Sequence, residues 1–444
     1  MDFDRNSLRS FNSLGFSLGS PATIAVASFS LLGVLLASEP AHAGGILIYE
    51  AGQEGAGLAN AGAAVLATDP SIMMNNPAGI SQLKGTQVNA NAQVILGAMT
   101  FSRDGGNTTA GGNGGNPLEY LPSTSLFISH ELNEKASIGF GVYGNFGLTA
   151  DYDDDWAGRY FSQEATLLGL SFQPTFAYKI TDDLSVGIGP RFVYGYFRTE
   201  VAVNNSPFDL LDLPDGQLRY KDEDWGTGVN VGVLYRLNER TQLGLAYTSK
   251  VKFEFSDAPE LKHISNPVLN VALQGLNKLD LDMNIPQTAT ASLSYDLSPQ
   301  WKLLGSVGWQ DWSDFGKIGV EVDTDASGTS SSADRHYKDT WHVSVGAQNQ
   351  INKRLRWNMG LGYDSSAVDD ADRTVDLPMG DTWRLATGLN YALEENLDFH
   401  LAYTLVWMGD MPIEQTKRAS GQTVSGEYRN AALHILGGGM VWRF

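Results

Sequence analysis

The sequence predicts an all-β protein: a 14-stranded antiparallel transmembrane β-barrel with an N-terminal hatch inside its lumen. Three observations predict it. The chain ends in a two-faced strand that stops on an aromatic ring, its connections alternate between short polar turns and long loops, and a Gly/Ala-rich stretch precedes the first strand.

Residues 1–43 read as a signal peptide. The run 22–37 (ATIAVASFSLLGVLLA) is apolar but short for a membrane helix, and Ala41-His42-Ala43 supplies an A-x-A cleavage site. Arg5 and Arg9 are offset by Asp2 and Asp4, so an uncleaved anchor is the other reading of this segment. The net charge is −20, and removing residues 1–43, which hold three acids and two bases, leaves −19. Phosphate binding needs clustered Lys and Arg, so nucleic acid is excluded as a partner. No cysteine is present. A closed barrel needs none, because its backbone groups pair within the sheet.

Residues 44–85 form the hatch in this reading. The segment is rich in Gly and Ala, and a fourteen-stranded barrel encloses more space than its own side chains fill. Residues 86–444 form the barrel. Short turns fall at Asn133-Glu134-Lys135, Thr181-Asp182-Asp183, Asn238-Glu239-Arg240, Ser298-Pro299-Gln300, Asn352-Lys353 and Glu394-Glu395-Asn396. Long loops lie near 103–120, 151–163, 201–224, 256–284, 321–338, 366–381 and 409–426. Six turns and seven loops connect fourteen strands, with the turns at one end and the loops at the other, as in an outer-membrane barrel. Individual strands such as 184–189 and 242–247 show a period of two. In the last strand Leu436, Gly438, Met440, Trp442 and Phe444 share one face. Phe444 is the expected signal for the barrel-assembly machinery, and the location expected is the bacterial outer membrane, facing lipopolysaccharide.

Glu54-Gly55-Ala56-Gly57-Leu58-Ala59-Asn60-Ala61, Asp69 and Asn76-Pro77-Ala78-Gly79 resemble the hatch of the outer-membrane long-chain fatty acid and hydrophobic-compound transporter family. The resemblance continues through Gly144-Asn145-Phe146-Gly147-Leu148, Trp156-Ala157-Gly158-Arg159-Tyr160, Trp225-Gly226-Thr227-Gly228, Tyr247-Thr248-Ser249-Lys250, Ile285-Pro286-Gln287 and Trp309-Gln310-Asp311-Trp312-Ser313. It implies a monomeric, plugged barrel that takes up fatty acids or aromatic and alkane hydrocarbons without a cofactor. Loops capture the ligand, an internal apolar pocket receives it, and it leaves sideways where the third strand kinks. Asn76, Pro77, Ala78 and Gly79 then belong to the gate, beside that kink. Gly141, Gly144 and Gly147 mark the lateral opening, since glycine in a strand accompanies bulges and close approaches.

Capture at the surface falls to Phe208, Leu210 and Leu211 in one loop and to Val268, Leu269, Leu273 and Leu276 in another. The second group has helical spacing. The same residues would equally serve as a cap over the barrel. Arg198 and Lys317 are the candidate partners for a ligand carboxylate. The literal G-x-S-x-G at 15–19 lies in the targeting segment, without the strand-to-helix context of a hydrolase nucleophile. The seven histidines form no close metal pair, and the acids at 151–155 lack calcium-loop spacing, so no metal site is expected. A general porin, an adhesin barrel and an outer-membrane lipase are the competing functions.

Overall fold

The computed structural model describes residues 48–118, 120–206, 213–273, 276–324, 327–417 and 420–444. The signal-peptide residues 1–43 and the capture candidates Phe208, Leu210 and Leu211 lie outside the described residues.

Nineteen strands follow one another among these residues. They are β1 (Thr86–Arg103), β2 (Tyr120–Glu131), β3 (Ala136–Asp151), β4 (Glu164–Lys179), β5 (Leu184–Val203), β6 (Gly216–Asn238) and β7 (Thr241–Thr248). Next come β8 (Val251–Asp257), β9 (Glu260–Lys262), β10 (Leu276–Ile285), β11 (Thr288–Asp296), β12 (Trp301–Gln310), β13 (Lys317–Thr324) and β14 (Ser327–Asp334). The last five are β15 (Thr340–Gln350), β16 (Leu355–Asp364), β17 (Thr382–Glu394), β18 (Leu397–Lys417) and β19 (Gln422–Arg443).

Fourteen of them, β1–β7, β11, β12 and β15–β19, pair antiparallel in a closed ring. β1 and β19 join its two ends from Gln87↔Arg443 upward, and the Phe444 amide donates to Thr86 O at 2.8 Å. The four strands β8, β10, β13 and β14 form a second sheet above the ring at its loop end. Much of the expected loop sequence is therefore strand. Positions 201–224, 256–284, 321–338 and 409–426 contain long stretches of β5, β6, β10, β13, β14, β18 and β19. Above the membrane these strands meet water on one side, so charged residues interrupt the apolar alternation without ending the pairing.

Within the ring the alternation is clear on regular strands. On β17, Trp383, Leu385, Leu389 and Tyr391 are exposed while Arg384 and Ala386 are buried. Leu436, Met440 and Trp442 are likewise exposed on β19, as is Phe444 just after it. An exposed apolar face of this extent belongs against lipid. Trp341, Trp383 and Trp407 mark one rim, and Tyr391, Phe399 and Trp442 the other. Trp383 and Tyr391 stand about 26 Å apart along β17 at ~3.3 Å per residue, which a strand tilt of about 40° turns into roughly 20 Å of height, within the reach of an outer-membrane apolar band. No helix among the described residues is long and apolar enough to cross a membrane.

The N-terminal segment carries a 3-10 turn at Tyr49–Ala51, α1 (Gln53–Leu58), α2 (Ile72–Asn75) and a 3-10 turn at Pro77–Gln82. It packs on the inward faces of opposite sides of the ring: α1 on β16–β18, and the Pro77–Gln82 turn on β4–β6.

Candidate functional site

The N-terminal segment is seated by hydrogen bonds to small polar side chains that line the inner wall. Ser125 on β2 donates to Ala51 O at 2.6 Å, Gln173 on β4 to Met73 O at 2.7 Å, and Asn230 on β6 to Met74 O at 2.7 Å. Ser292 on β11 accepts from the Ala64 amide at 3.0 Å, and Ser306 on β12 accepts from the Gly62 amide at 2.9 Å. A segment without regular pairing inside a closed wall needs such partners, because its backbone groups are cut off from water.

Asn76 is fully buried and serves three backbone groups. Its Nδ2 donates to Ala64 O at 2.6 Å and to Val233 O on β6 at 3.0 Å, while its Oδ1 accepts from the Ala78 amide at 3.0 Å. Pro77 then opens the 3-10 turn with its fixed φ, and Ala78 and Gly79 follow inside it, both buried. This motif faces β5 and β6: side chains at Gly187 and Gly232 would overlap Ala78 and Asn76. The resemblance implied a place beside the β3 kink. The residue found there is Ile48.

An ionic cluster ties the start of the segment to the wall. Arg384 on β17 donates to Glu50 at 2.6 Å and to Asp364 on β16 at 2.8 Å. His342 on β15 contacts the same Asp364 at 2.8 Å, and the Tyr49 hydroxyl donates to it at 3.2 Å. The Arg384 guanidinium also lies 4.7 Å from the centre of the Tyr49 ring.

β3 is irregular where its glycines concentrate. Its ladder with β4 shifts between Gly144↔Leu170 and Phe146↔Gly169, leaving Asn145 as an extra residue. Tyr143 and Phe146 consequently both point inward, which a regular strand forbids for residues three apart. The β2–β3 ladder runs from Glu131↔Ser137 to Ser125↔Tyr143 and stops there. Beyond it, residues 120–124 pair with β1 alone and 144–151 with β4 alone. The wall is unpaired between β2 and β3 at this height. A Cβ at Gly147 would stand 3.4 Å from Ile48, Leu121 and Leu168, and one at Gly144 would stand 3.3 Å from Ser123 Oγ. Gly141 lies lower, inside the paired part of β3, against Phe127 and Met73.

Three small cavities adjoin this break. One of about 30 Å³ is lined by Gly147, Ile48, Leu121, Leu148, Leu433 and Arg384, among others. A loop-side cavity of about 50 Å³ shares Leu118, Leu148 and Leu433 with it and is mostly apolar, reaching Met99, Tyr152, Leu377 and Met408. A third, of about 100 Å³, shares Ile48 and extends to Tyr143, Arg191, Thr290, Gln310 and His342. Ile48 thus stands between the third cavity and the break.

The other expected residues are dispersed. Val268, Leu269 and Leu273 lie on a short helix, α3 (Pro267–Leu273), where Leu269 and Leu273 are buried with Phe253, Phe255 and Leu377. Val268 is 75% exposed, and Leu276 begins β10 half-buried against the same cluster. Arg198 lies 2.6 Å from Glu164 and 3.7 Å from Glu200, and Lys317 is exposed. Neither lines the three cavities. Among the described residues, Arg191 and Arg384 are buried inward cations on ring strands that went unmarked in the sequence. The available signal was a base at an inward position within an uncharged stretch of strand, a costly placement that implies a partner.

Residues 34–444 match the family described as outer membrane protein transport protein (OMPP1/FadL/TodX). The long-chain fatty acid transport protein of Escherichia coli O6:H1 is 25% identical over 406 residues, covering 85% of this chain and 90% of the relative. Among solved structures, a Pseudomonas aeruginosa FadL homologue aligns with a TM-score of 0.81 at 17% identity, over 90% of this chain and 100% of the other. The Ralstonia pickettii toluene transporter TbuX aligns with a TM-score of 0.65 at 18% identity, over 88% and 98%.

Proposed function

The chain belongs to the outer membrane protein transport family (OMPP1/FadL/TodX), and from that premise we propose that it carries long-chain fatty acids or other hydrophobic molecules through the outer membrane by passive, lateral release. The family is one of outer-membrane transporters for hydrophobic molecules. The observation that carries the lateral route is the end of the β2–β3 ladder at Tyr143, with a cavity directly behind it whose walls are apolar except for the Glu50–Arg384 pair. A polar leaflet of sugars and charge opposes an apolar solute. A protein-lined path from the loop-side cavity to the break avoids that barrier and returns the solute to lipid.

In this scheme residues 44–85 act as the hatch, with Asn76, Pro77, Ala78 and Gly79 holding its lower turn against β5 and β6. Ile48 is the movable stop at the opening formed by Gly144 and Gly147. The α3 region and the neighbouring loop residues capture ligand, and the exposed Phe444 addresses the assembly machinery of a monomeric barrel. A second reading, uptake of neutral hydrocarbons, draws on the fold shared with a toluene transporter and on the loop-side cavity, whose one charged lining residue is Asp376.

Uptake of labelled hexadecanoate by cells carrying Gly147→Val tests the route. The added branches would occupy the space between Ile48, Leu121 and Leu168, so uptake should fall clearly while the barrel still assembles. Unchanged uptake would refute lateral release. Competition by alkanes and aromatics sorts the substrate, and large steady conductance in planar bilayers would favour a general porin.

A further inference from the structure

We infer that His342 is a proton-sensitive latch on the N-terminal segment: a charged imidazole fastens residues 48–58 to the wall, and a neutral one loosens them. The inference rests on the reading of that segment as the hatch and adds what regulates it.

Four ionisable side chains close on one another where the segment meets the wall. Glu50 of the segment lies 2.6 Å from Arg384 on β17, Arg384 lies 2.8 Å from Asp364 on β16, and Asp364 lies 2.8 Å from His342 Nδ1 on β15. All four side chains are withdrawn from water, Asp364 being the most exposed at 13%. Two carboxylates and one guanidinium sum to −1. A charged imidazole brings the total to zero, whereas a neutral one leaves the excess negative charge buried, which is the costlier state.

The remaining neighbours of the imidazole add no second acid. Its Nε2 lies 3.1 Å from Ser344 Oγ on the same face of β15, and its ladder partner on β12 is Gly308. The Tyr49 ring packs 5.0 Å from it between centroids, with its hydroxyl donating to Asp364 and accepting from Gln310 on β12. The cavity that His342 lines has one other charged residue among the described ones, Arg191 on β5, which bonds to Ser171 and Tyr143.

Glu50 and Asp364 share one guanidinium. A charged His342 compensates Asp364 and leaves Arg384 to Glu50. With His342 neutral, both carboxylates draw on Arg384, and Glu50 is the one able to leave, because it sits on a segment without regular pairing. Ile48, the stop at the break in the wall, is two residues away, so the latch bears directly on it.

Amide hydrogen exchange of the full chain in lipid nanodiscs tests this at about pH 5 and about pH 8.5, on either side of imidazole titration, with the intrinsic pH dependence of exchange corrected for. Protection of residues 48–58 should be about tenfold or more greater at the acid pH, the size of a charge-assisted hydrogen bond. Residues 77–82, which pack on β4–β6, should show no such change. His342→Gln should give the weaker protection at both pH values. Glu50→Gln should invert the response, since Asp364 and Arg384 then balance with a neutral imidazole and a charged one is in excess. Equal native protection of residues 48–58 at the two pH values, or an unchanged direction in Glu50→Gln, overturns the latch while the hatch reading stands. Exchange of residues 48–58 at the rate of an unfolded chain at both pH values overturns the hatch reading itself. If neither variant forms a heat-modifiable barrel, the native contrast between residues 48–58 and 77–82 still decides.

Discussion

Asn76 serves three backbone groups with one side chain. Asn76→Ala should unseat the lower part of the segment at a cost on the order of 3 kcal/mol, because Ala64 O and Val233 O would each lose a donor in a dry site. Faster protease cleavage in residues 60–80 of the folded barrel is the expected readout. A second residue of this kind sits above the membrane. Lys417 at the end of β18 is buried, donates to Tyr160 O at 2.5 Å and lies 5.3 Å from the Phe161 ring. Burial pulls its ammonium down to about 7, with Asp376 opposing. Its folded value lies below its unfolded one, so the unfolded state binds more protons between about pH 7 and the ordinary lysine value near 10.5. The loop cap should therefore grow more stable as pH rises through that window. Urea-dependent proteolysis of the loops at pH 6 and pH 9 checks this, and Lys417→Met should make the response flat.

At the scale of one strand, the extra residue at Asn145 sets the whole upper half of β3. It turns Phe146 inward into the apolar core with Val193, Phe197 and Phe253, and it ends the ladder to β2. Gly169 makes room for the Phe146 ring, since a Cβ there would overlap it. Deleting Asn145 should restore the regular alternation, with Phe146 two positions after Tyr143 and still inward, and close the gap by pairing the residues beyond Gly144 with β2. Hexadecanoate uptake should be lost while electrophoretic heat-modifiability, the mark of a folded barrel, persists. The glycines of β3 and an irregularity among them were visible in the sequence, but the place of the extra residue was not. Its position depends on where Gly169 on the neighbouring strand leaves space, a relation between residues more than twenty positions apart. The α3 helix was visible too, from the spacing of Leu269 and Leu273. That these two face a core while Val268 faces outward was set by what packs beneath them.

Across the whole molecule, the N-terminal segment and the wall hold each other. Glu50, Arg384, Asp364 and His342 join four separate parts of the chain in one buried cluster. Arg384→Met would leave Glu50 and Asp364 buried without their cation, a change that typically costs about 3–5 kcal/mol. Such a variant should show large, steady conductance in planar bilayers where the native chain shows little. Gly244→Val should act in the same direction, since a side chain there collides with the backbone at Ala64. If both variants conduct no more than the native chain, the segment is not what blocks the lumen.

The sequence by itself determined the class of fold, the count of staves, the closing aromatic strand and the identity of the segment that lies within. These follow from periodicity, turn chemistry and local composition, which each residue shares with its near neighbours. Only the tertiary structure decided that Asn76 serves β6, that Ile48 stands at the opening in the wall, that Arg198 is taken up by Glu164, and that Arg191 faces a cavity without an acid. Those facts depend on which inward side chains of distant strands meet across the lumen. A period of two states that a residue points inward; the curvature and stagger of a closed ring choose what it meets there.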